Sequence, residues 1–208
     1  MNFLNLMVSG VVALSLVACG GNTEATDASE ADAAMEEMNE AEPMASDINL
    51  ESSSVEWAGT MVGVYTHTGT LNFTAGNLET NGNNVTGGSF TVDMASMTPT
   101  DDNYDPSKES TPEKLVGHLS SPDFFDVATY PTASYEITGS SENSIMGNLT
   151  LRGKTNSETV ENVSYDAANN SWTGTMTVDR RKYDVSWDSE MKEMVLSDDI
   201  ELTITLVL

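Results

Sequence analysis

From residue 55 to residue 208, apolar and polar positions alternate over short runs, each closed by a cluster of Gly, Asn, Asp or Ser. The pattern is clearest in the last run, where Ile200, Leu202, Ile204, Leu206 and Leu208 fall on one side and Glu201, Thr203, Thr205 and Val207 on the other. A period of two places alternate side chains on opposite faces of a strand, so this run predicts a half-buried strand. Residues 71–74, 89–94, 148–152 and 172–179 repeat the pattern, with Thr recurring on the polar side. Polar clusters at 79–84, 139–143 and 166–170 separate the runs and predict hairpin turns. The exception is 97–121, where Pro99, Pro106 and Pro112 interrupt any strand. Within it, 112–119 has room for about two helical turns, with Pro112 in the first turn, where its missing N–H is harmless. Many antiparallel strands with one short helical excursion predict an all-β domain, either a closed barrel or a sandwich, and the pattern alone leaves both open.

The first fifty residues follow other rules. An apolar run at 11–18 is too short to cross a bilayer, which takes a helix of ~20 residues, and it ends in small residues before the lone cysteine, Cys19. Residues 1–18 are therefore expected to be an export signal. The step Leu16-Val17-Ala18-Cys19 resembles the lipobox of bacterial lipoproteins, in which cleavage leaves a lipid-modified cysteine at the new N-terminus. On that reading Cys19 anchors the protein to a membrane of the cell envelope. Gly20 at the next position, rather than Asp, favours the outer membrane, facing the periplasm or the exterior. Residues 19–54 contain no aromatic and no basic residue and read as a disordered acidic tether. As a flexible coil its ~35 residues span roughly 30 to 35 Å, and more once like charges repel.

Charge narrows the choice of partners. Eight Lys and Arg stand against 33 Asp and Glu, a formal net charge of −25. Nucleic acid is excluded as a partner, because phosphate binding takes clustered cations. A single cysteine closes no internal disulfide, so outside the cytoplasm the fold depends on its core.

Several segments are more specific than a pattern. His118-Leu119-Ser120-Ser121-Pro122-Asp123-Phe124-Phe125-Asp126, followed by 130–135, resembles the most distinctive segment of the YceI-like family of exported bacterial proteins. In the same order, Val55-Glu56-Trp57, His67-Thr68-Gly69 and 87–94 are similar to that family's opening strands, and 147–155 to its central strand and turn. The chain has Arg180-Arg181-Lys182-Tyr183-Asp184-Val185 where the family favours Arg-x-x-Phe-Gly-Ile. The resemblance spans residues 55–208. It implies a lipocalin-like, extended antiparallel β-barrel of about eight strands that carries a long apolar lipid of the polyisoprenoid or isoprenoid-quinone type. An eight-stranded barrel has an interior that side chains just fill or that holds one slender ligand. A side-chain-filled barrel acting as a non-catalytic envelope or stress-related interaction module is the other expectation.

Aromatic and methionine side chains make adaptable walls for an apolar chain. Trp57, Phe73, Phe90, Met176 and Trp187 lie in or beside the strand-like runs, and Phe124 and Phe125 follow the helical excursion. These seven are the candidate wall and mouth residues; the alternative is ordinary core packing for the first five and a staple that fixes the loop for Phe124 and Phe125. His67, Arg180 and Arg181 are candidate head-group contacts, a salt-bridged turn beside Asp179 and Asp184 being the alternative for the two arginines. Two histidines alone fall short of the three or four ligands of a metal site. Oxygen-bearing residues alternate at Asp101, Asn103 and Asp105, but Pro106 and Pro112 stand where a calcium loop needs Gly and Glu. No nucleophile elbow is present. The expectation is a binding protein without catalytic residues, metal or cofactor, whose partners are a lipid ligand and the anchoring membrane.

Overall fold

The computed structural model describes residues 43–108, 110–188 and 195–208. The expected export segment, Cys19 and the tether as far as residue 42 lie outside the described residues. Nine strands and one helix follow in chain order: β1 Met44–Asp47, β2 Ser54–Met61, β3 Tyr65–Asn81, β4 Asn84–Pro99, α1 Pro112–Leu119, β5 Thr132–Ser140, β6 Ile145–Leu151, β7 Lys154–Asp166, β8 Ser171–Asp179 and β9 Leu196–Val207. All strand pairs are antiparallel, in the order β1-β3-β2-β9-β8-β7-β6-β5-β4, and β3 also pairs with β4. That last pairing closes β2 to β9 into an eight-stranded barrel, with β1 as an extra strand on β3. The barrel alternative is thus the correct one, and the sandwich is set aside.

Alternation decides which side chains enter the barrel. In β8 Trp172, Gly174, Met176 and Val178 are buried, while the threonines between them are half-buried or exposed. In β3 the buried positions change parity, from Leu71 and Phe73 to Leu78, because the register with β4 slips between Thr70 and Asn72 and again between Phe73 and Ala75. Each such bulge inserts a residue and bends the strand. This lets one 17-residue strand pair with β2 along its first half and with β1 near its end.

β1 corrects the sequence reading of 19–54 as tether. Residues 44–47 pair with Asn77–Thr80 reversed, Ile48 is 5 % exposed, and Asn49 N donates to the carbonyl of Val207 at 2.7 Å. Ser53 Oγ accepts from Val207 N at 2.9 Å. The segment carries one apolar anchor, Ile48, and its partners are far away in the chain, so it shows no local period.

The two ends of the barrel are built differently. At one end β3–β4, β5–β6 and β7–β8 are joined by loops of two to four residues. Gly82, at φ 60, opens the two-residue loop from β3 to β4. We call this the hairpin end. The other end, the helix end, holds the β2–β3 loop, α1 with its flanking segments, the β6–β7 turn and the connection from β8 to β9. In the turn Arg152-Gly153 both residues have positive φ, 48 and 69, as a type I′ turn demands. Gly153 is required twice over, since a Cβ there would stand 2.6 Å from the Tyr130 ring. Arg152 is held in place by donating to the carbonyls of Asp184 and Pro122 at 2.6 and 2.8 Å.

Candidate functional site

Inside the barrel lies a cavity of about 320 Å³. Its wall runs from Trp172 and Leu206 near the hairpin end to Leu115, Phe124 and Phe125 at the helix end, and it is overwhelmingly apolar. All seven candidate wall residues, Trp57, Phe73, Phe90, Phe124, Phe125, Met176 and Trp187, line it. Phe73 and Phe90 meet edge to face across β3 and β4, 6.1 Å between centroids. The wall also includes residues that the sequence reading did not nominate, such as Leu149, Ala133 and Trp172. Trp172 shares a strand face with Met176, so the alternation at 172–179 already contained it.

The helix end is covered by α1 and the segment after it. Thr111 caps the helix, its side chain accepting from Lys114 N at 3.3 Å, and Pro112 occupies the first turn as expected. From this helix Leu115, His118 and Leu119 face the cavity. His118 packs edge-on against Phe124 at 5.5 Å and Trp187 at 4.8 Å, and Phe124 against Phe125 at 4.8 Å. Burial lowers the pKa of His118, opposed by nearby Asp123, so the imidazole is held toward its neutral form. Its Nε2 is buried and has no hydrogen-bond partner among the described residues.

The three head-group candidates are engaged within the protein. His67 lines the cavity, and its Nδ1 lies 3.0 Å from Asp101, with its ring stacked on Tyr104 at 5.1 Å. Asp101 also accepts from Thr68 N, Asn103 N and the Tyr104 hydroxyl, at 2.9, 2.9 and 3.2 Å. Burial pulls its pKa upward, but these hydrogen bonds outweigh burial and hold it below the ordinary carboxylate value. Tyr104 is pushed up to about 12 by burial and by the Asp101 charge. The cluster ties the chain after β4 onto β3.

Arg180 is fully buried, unlike the surface turn that the alternative reading supposed. Its guanidinium donates to the carbonyls of Ser197, Val185 and Trp187 at 3.0, 2.8 and 2.9 Å, and to Asp198 at 3.0 Å, with Asp188 at 3.8 Å. Arg181 is half exposed and pairs with Asp188 and Asp198. The expected partners Asp179 and Asp184 serve otherwise. Asp179 caps the short 3-10 turn Arg180–Tyr183, and Asp184 ends it at φ 59, the left-handed conformation for which the family's Gly is suited.

Two tyrosines, the half-buried Tyr135 and the buried Tyr183, brace the wall. Tyr135 OH lies within hydrogen-bond distance of the carbonyls of Ile145 and Glu158, at 3.1 and 3.0 Å, and burial and the Glu158 charge push its pKa up to about 12. Tyr183 donates to Glu158 Oε1 at 3.1 Å, where Lys182 also pairs at 3.2 Å. Among the described residues no three His, Cys, Asp or Glu side chains converge on a metal-sized site, and no helix is long and apolar enough to cross a membrane.

Residues 47–208 match the family model of the YceI-like domain. No curated protein matches the chain. Among solved structures, BcnA of Burkholderia cenocepacia superposes with a TM-score of 0.60 at 21% identity, covering 78% of this chain and 99% of that one. The polyisoprenoid binding domain from Saccharophagus degradans implicated in plant cell wall breakdown gives 0.47 at 10% identity, covering 77% and 95%. A mutant YceI protein of Campylobacter jejuni with a monobromobimane guest gives 0.42 at 19% identity, covering 71% and 81%.

Proposed function

Because the chain belongs to the YceI-like family, we propose that it is a binding or carrier protein for one long-chain isoprenoid lipid, of the polyprenyl or isoprenoid-quinone type, held in the barrel lumen. The observation that carries this reading is the apolar cavity of about 320 Å³ that follows the barrel from one end to the other. Its size lies within the range of small-molecule sites, roughly 300 to 1,000 Å³. Each CH₂ that moves from water into such a space contributes about 0.8 kcal/mol, so an extended isoprenoid gains affinity along its whole length. The same cavity weighs against a side-chain-filled interaction module. Catalysis has no part in this reading, because the polar groups on the wall are engaged with the protein or stand singly.

In the same proposal Cys19 carries the lipid that tethers the protein to the envelope, with the outer membrane as its site. A tethered barrel stays near the bilayer from which its ligand comes or to which it goes. Native mass spectrometry of gently purified full-length protein is expected to show one isoprenoid-type lipid per chain. Repeated recovery of empty protein from membranes rich in such lipids overturns the carrier reading. Cys19→Ala is expected to move the protein from the membrane to the soluble fraction, and persistent membrane association counts against the anchor.

A further inference from the structure

At the hairpin end the lumen meets a second, smaller hollow of about 180 Å³, whose lining includes Asn83, Asn84, Ser141, Glu142 and Ser164. The two spaces share three lining residues, Ile145, Val163 and Trp172, which stand between them.

Trp172 is the largest of the three and the one that crosses the bore. It lies near the start of β8, on the same strand face as Met176 and Val178. β8 stands across the ring from the β3–β4 pair, with β9 and β2 between them on one side and β7, β6 and β5 on the other. Yet the Trp172 Nε1–H donates to the carbonyl of Asn83, in the loop that joins β3 to β4, at 3.1 Å. The indole therefore bridges opposite sides of the barrel. The interior of an eight-stranded barrel is just wide enough for one slender ligand, so a ring laid across it closes it. Trp172 is 5 % exposed and is held at both ends, by its strand and by that hydrogen bond. The Tyr165 ring backs it at 4.5 Å, and the Tyr165 hydroxyl is itself fixed by donating to Asn170 Oδ1 at 3.0 Å.

The two sides of this floor differ in kind. On the lumen side stand Leu206, Met176 and Leu149, and on the far side are amides, hydroxyls and the Glu142 carboxylate. An apolar chain gains by filling the first space. In the second it would strip water from polar groups and offer them no bond in return. The tail end of a bound isoprenoid belongs against the indole, and its polar end toward the helix end.

We propose that Trp172 is the floor of the ligand site and sets the longest isoprenoid chain that the lumen takes in full. This rests on the carrier reading and specifies the length and direction of its ligand.

The test measures binding of the full chain to a graded series of polyprenols, each one isoprene unit longer than the last, ending in chains longer than the barrel. Each CH₂ that is buried tightens binding about fourfold, so each added unit should tighten it about tenfold or more until the tail reaches Trp172, and further units should add nothing. Trp172→Ala removes the crossbar. The lost indole has more ring atoms than an isoprene unit has carbons, so the plateau should begin at a chain at least one unit longer. A second measurement needs no variant. In the unmodified protein, a polyprenol of plateau length ¹³C-labelled at its terminal methyl groups should give nuclear Overhauser contacts to the Trp172 indole, and one labelled beside its hydroxyl should give none. An affinity that climbs through the whole series, a plateau that Trp172→Ala leaves in place, or contacts from the hydroxyl end overturns this inference and leaves the carrier reading standing. Failure to bind any member of the series overturns both.

Discussion

The two ends of the barrel solve the same problem by opposite means. At the hairpin end, short loops close the connections, and the polar groups beneath them find partners within the wall. The Trp172 N–H meets Asn83 O, and the Tyr165 ring packs on Trp172 at 4.5 Å. At the helix end two of the four connections, β4 to β5 and β8 to β9, are long; α1 lies over the cavity, and one buried cation, Arg180, draws the segments before and after β9's start together through backbone carbonyls. All of the basic residues among those described, at positions 108, 114, 152, 154, 180, 181 and 182, belong to this end. Among the described residues the hairpin end has carboxylates at Glu79, Glu142 and Asp166 and no cation. Closure by turn chemistry needs no charge, whereas closure by long segments takes a hub with many donors, and a guanidinium with five N–H groups suits that task.

The largest effect that tests this contrast is expected from Arg180→Met. Removing the buried cation leaves three carbonyls without their donor and Asp198 paired with Arg181 alone, and breaking a buried charged network costs about 3–5 kcal/mol. Urea unfolding should show a loss of this size. A loss below about 1 kcal/mol would mean that the helix end is held by packing alone. Next in size is Trp172→Phe at the hairpin end, where the lost hydrogen bond to Asn83 should cost about 0.5–1.5 kcal/mol. Trp57→Phe should cost less in the same assay, because the buried Trp57 Nε1 has no hydrogen-bond partner among the described residues. Equal costs would erase the distinction between the satisfied and the unsatisfied indole.

The smallest expected effect is a pH dependence at the helix end. Burial depresses the pKa of His118 in the folded protein, so below its unfolded value of about 6.5 the unfolded chain binds a proton that the native state refuses. Stability is therefore full above that value and falls as pH drops from about 6.5 toward the lower folded pKa. One proton changes stability by at most about 1.4 kcal/mol per pH unit. Thermal unfolding between pH 7 and pH 5 should show the decline, and His118→Gln should flatten it. An unchanged slope would place the proton uptake elsewhere.

Much of this molecule was legible before any coordinates, and the parts that were not share a cause. The strands at 172–179 and 200–208 obey a strict period of two, and the structure keeps it. The long strands β3 and β4 break that period at bulges, so their sequence showed only fragments such as 71–74 and 89–94. β1 was invisible because its partners lie some thirty residues away and it offers one apolar anchor. In the cavity, the seven nominated apolar residues are on the wall because size and strand face suffice to place them. The polar residues were harder to read. Arg180 stands in a run of three cations that looks like a surface, and its burial depends on carbonyls of residues 185, 187 and 197 that no local pattern encodes. The pairing of His67 in β3 with Asp101, just after β4, joins residues 34 positions apart in the same way.

The order of strands around the barrel also has a consequence for how the chain folds. Most neighbours in the barrel are neighbours in sequence, but β2 pairs with β9, joining Trp57 to Leu202. For a polypeptide that emerges N-terminal end first, the hairpins from β2 to β8 can form early, while both β2 and β8 expose unpaired backbone until residues 196–207 arrive. Open edges of that kind invite pairing with other chains. The last strand to appear is thus the one that removes both edges, and the interval before it arrives is when the protein is most exposed to aggregation.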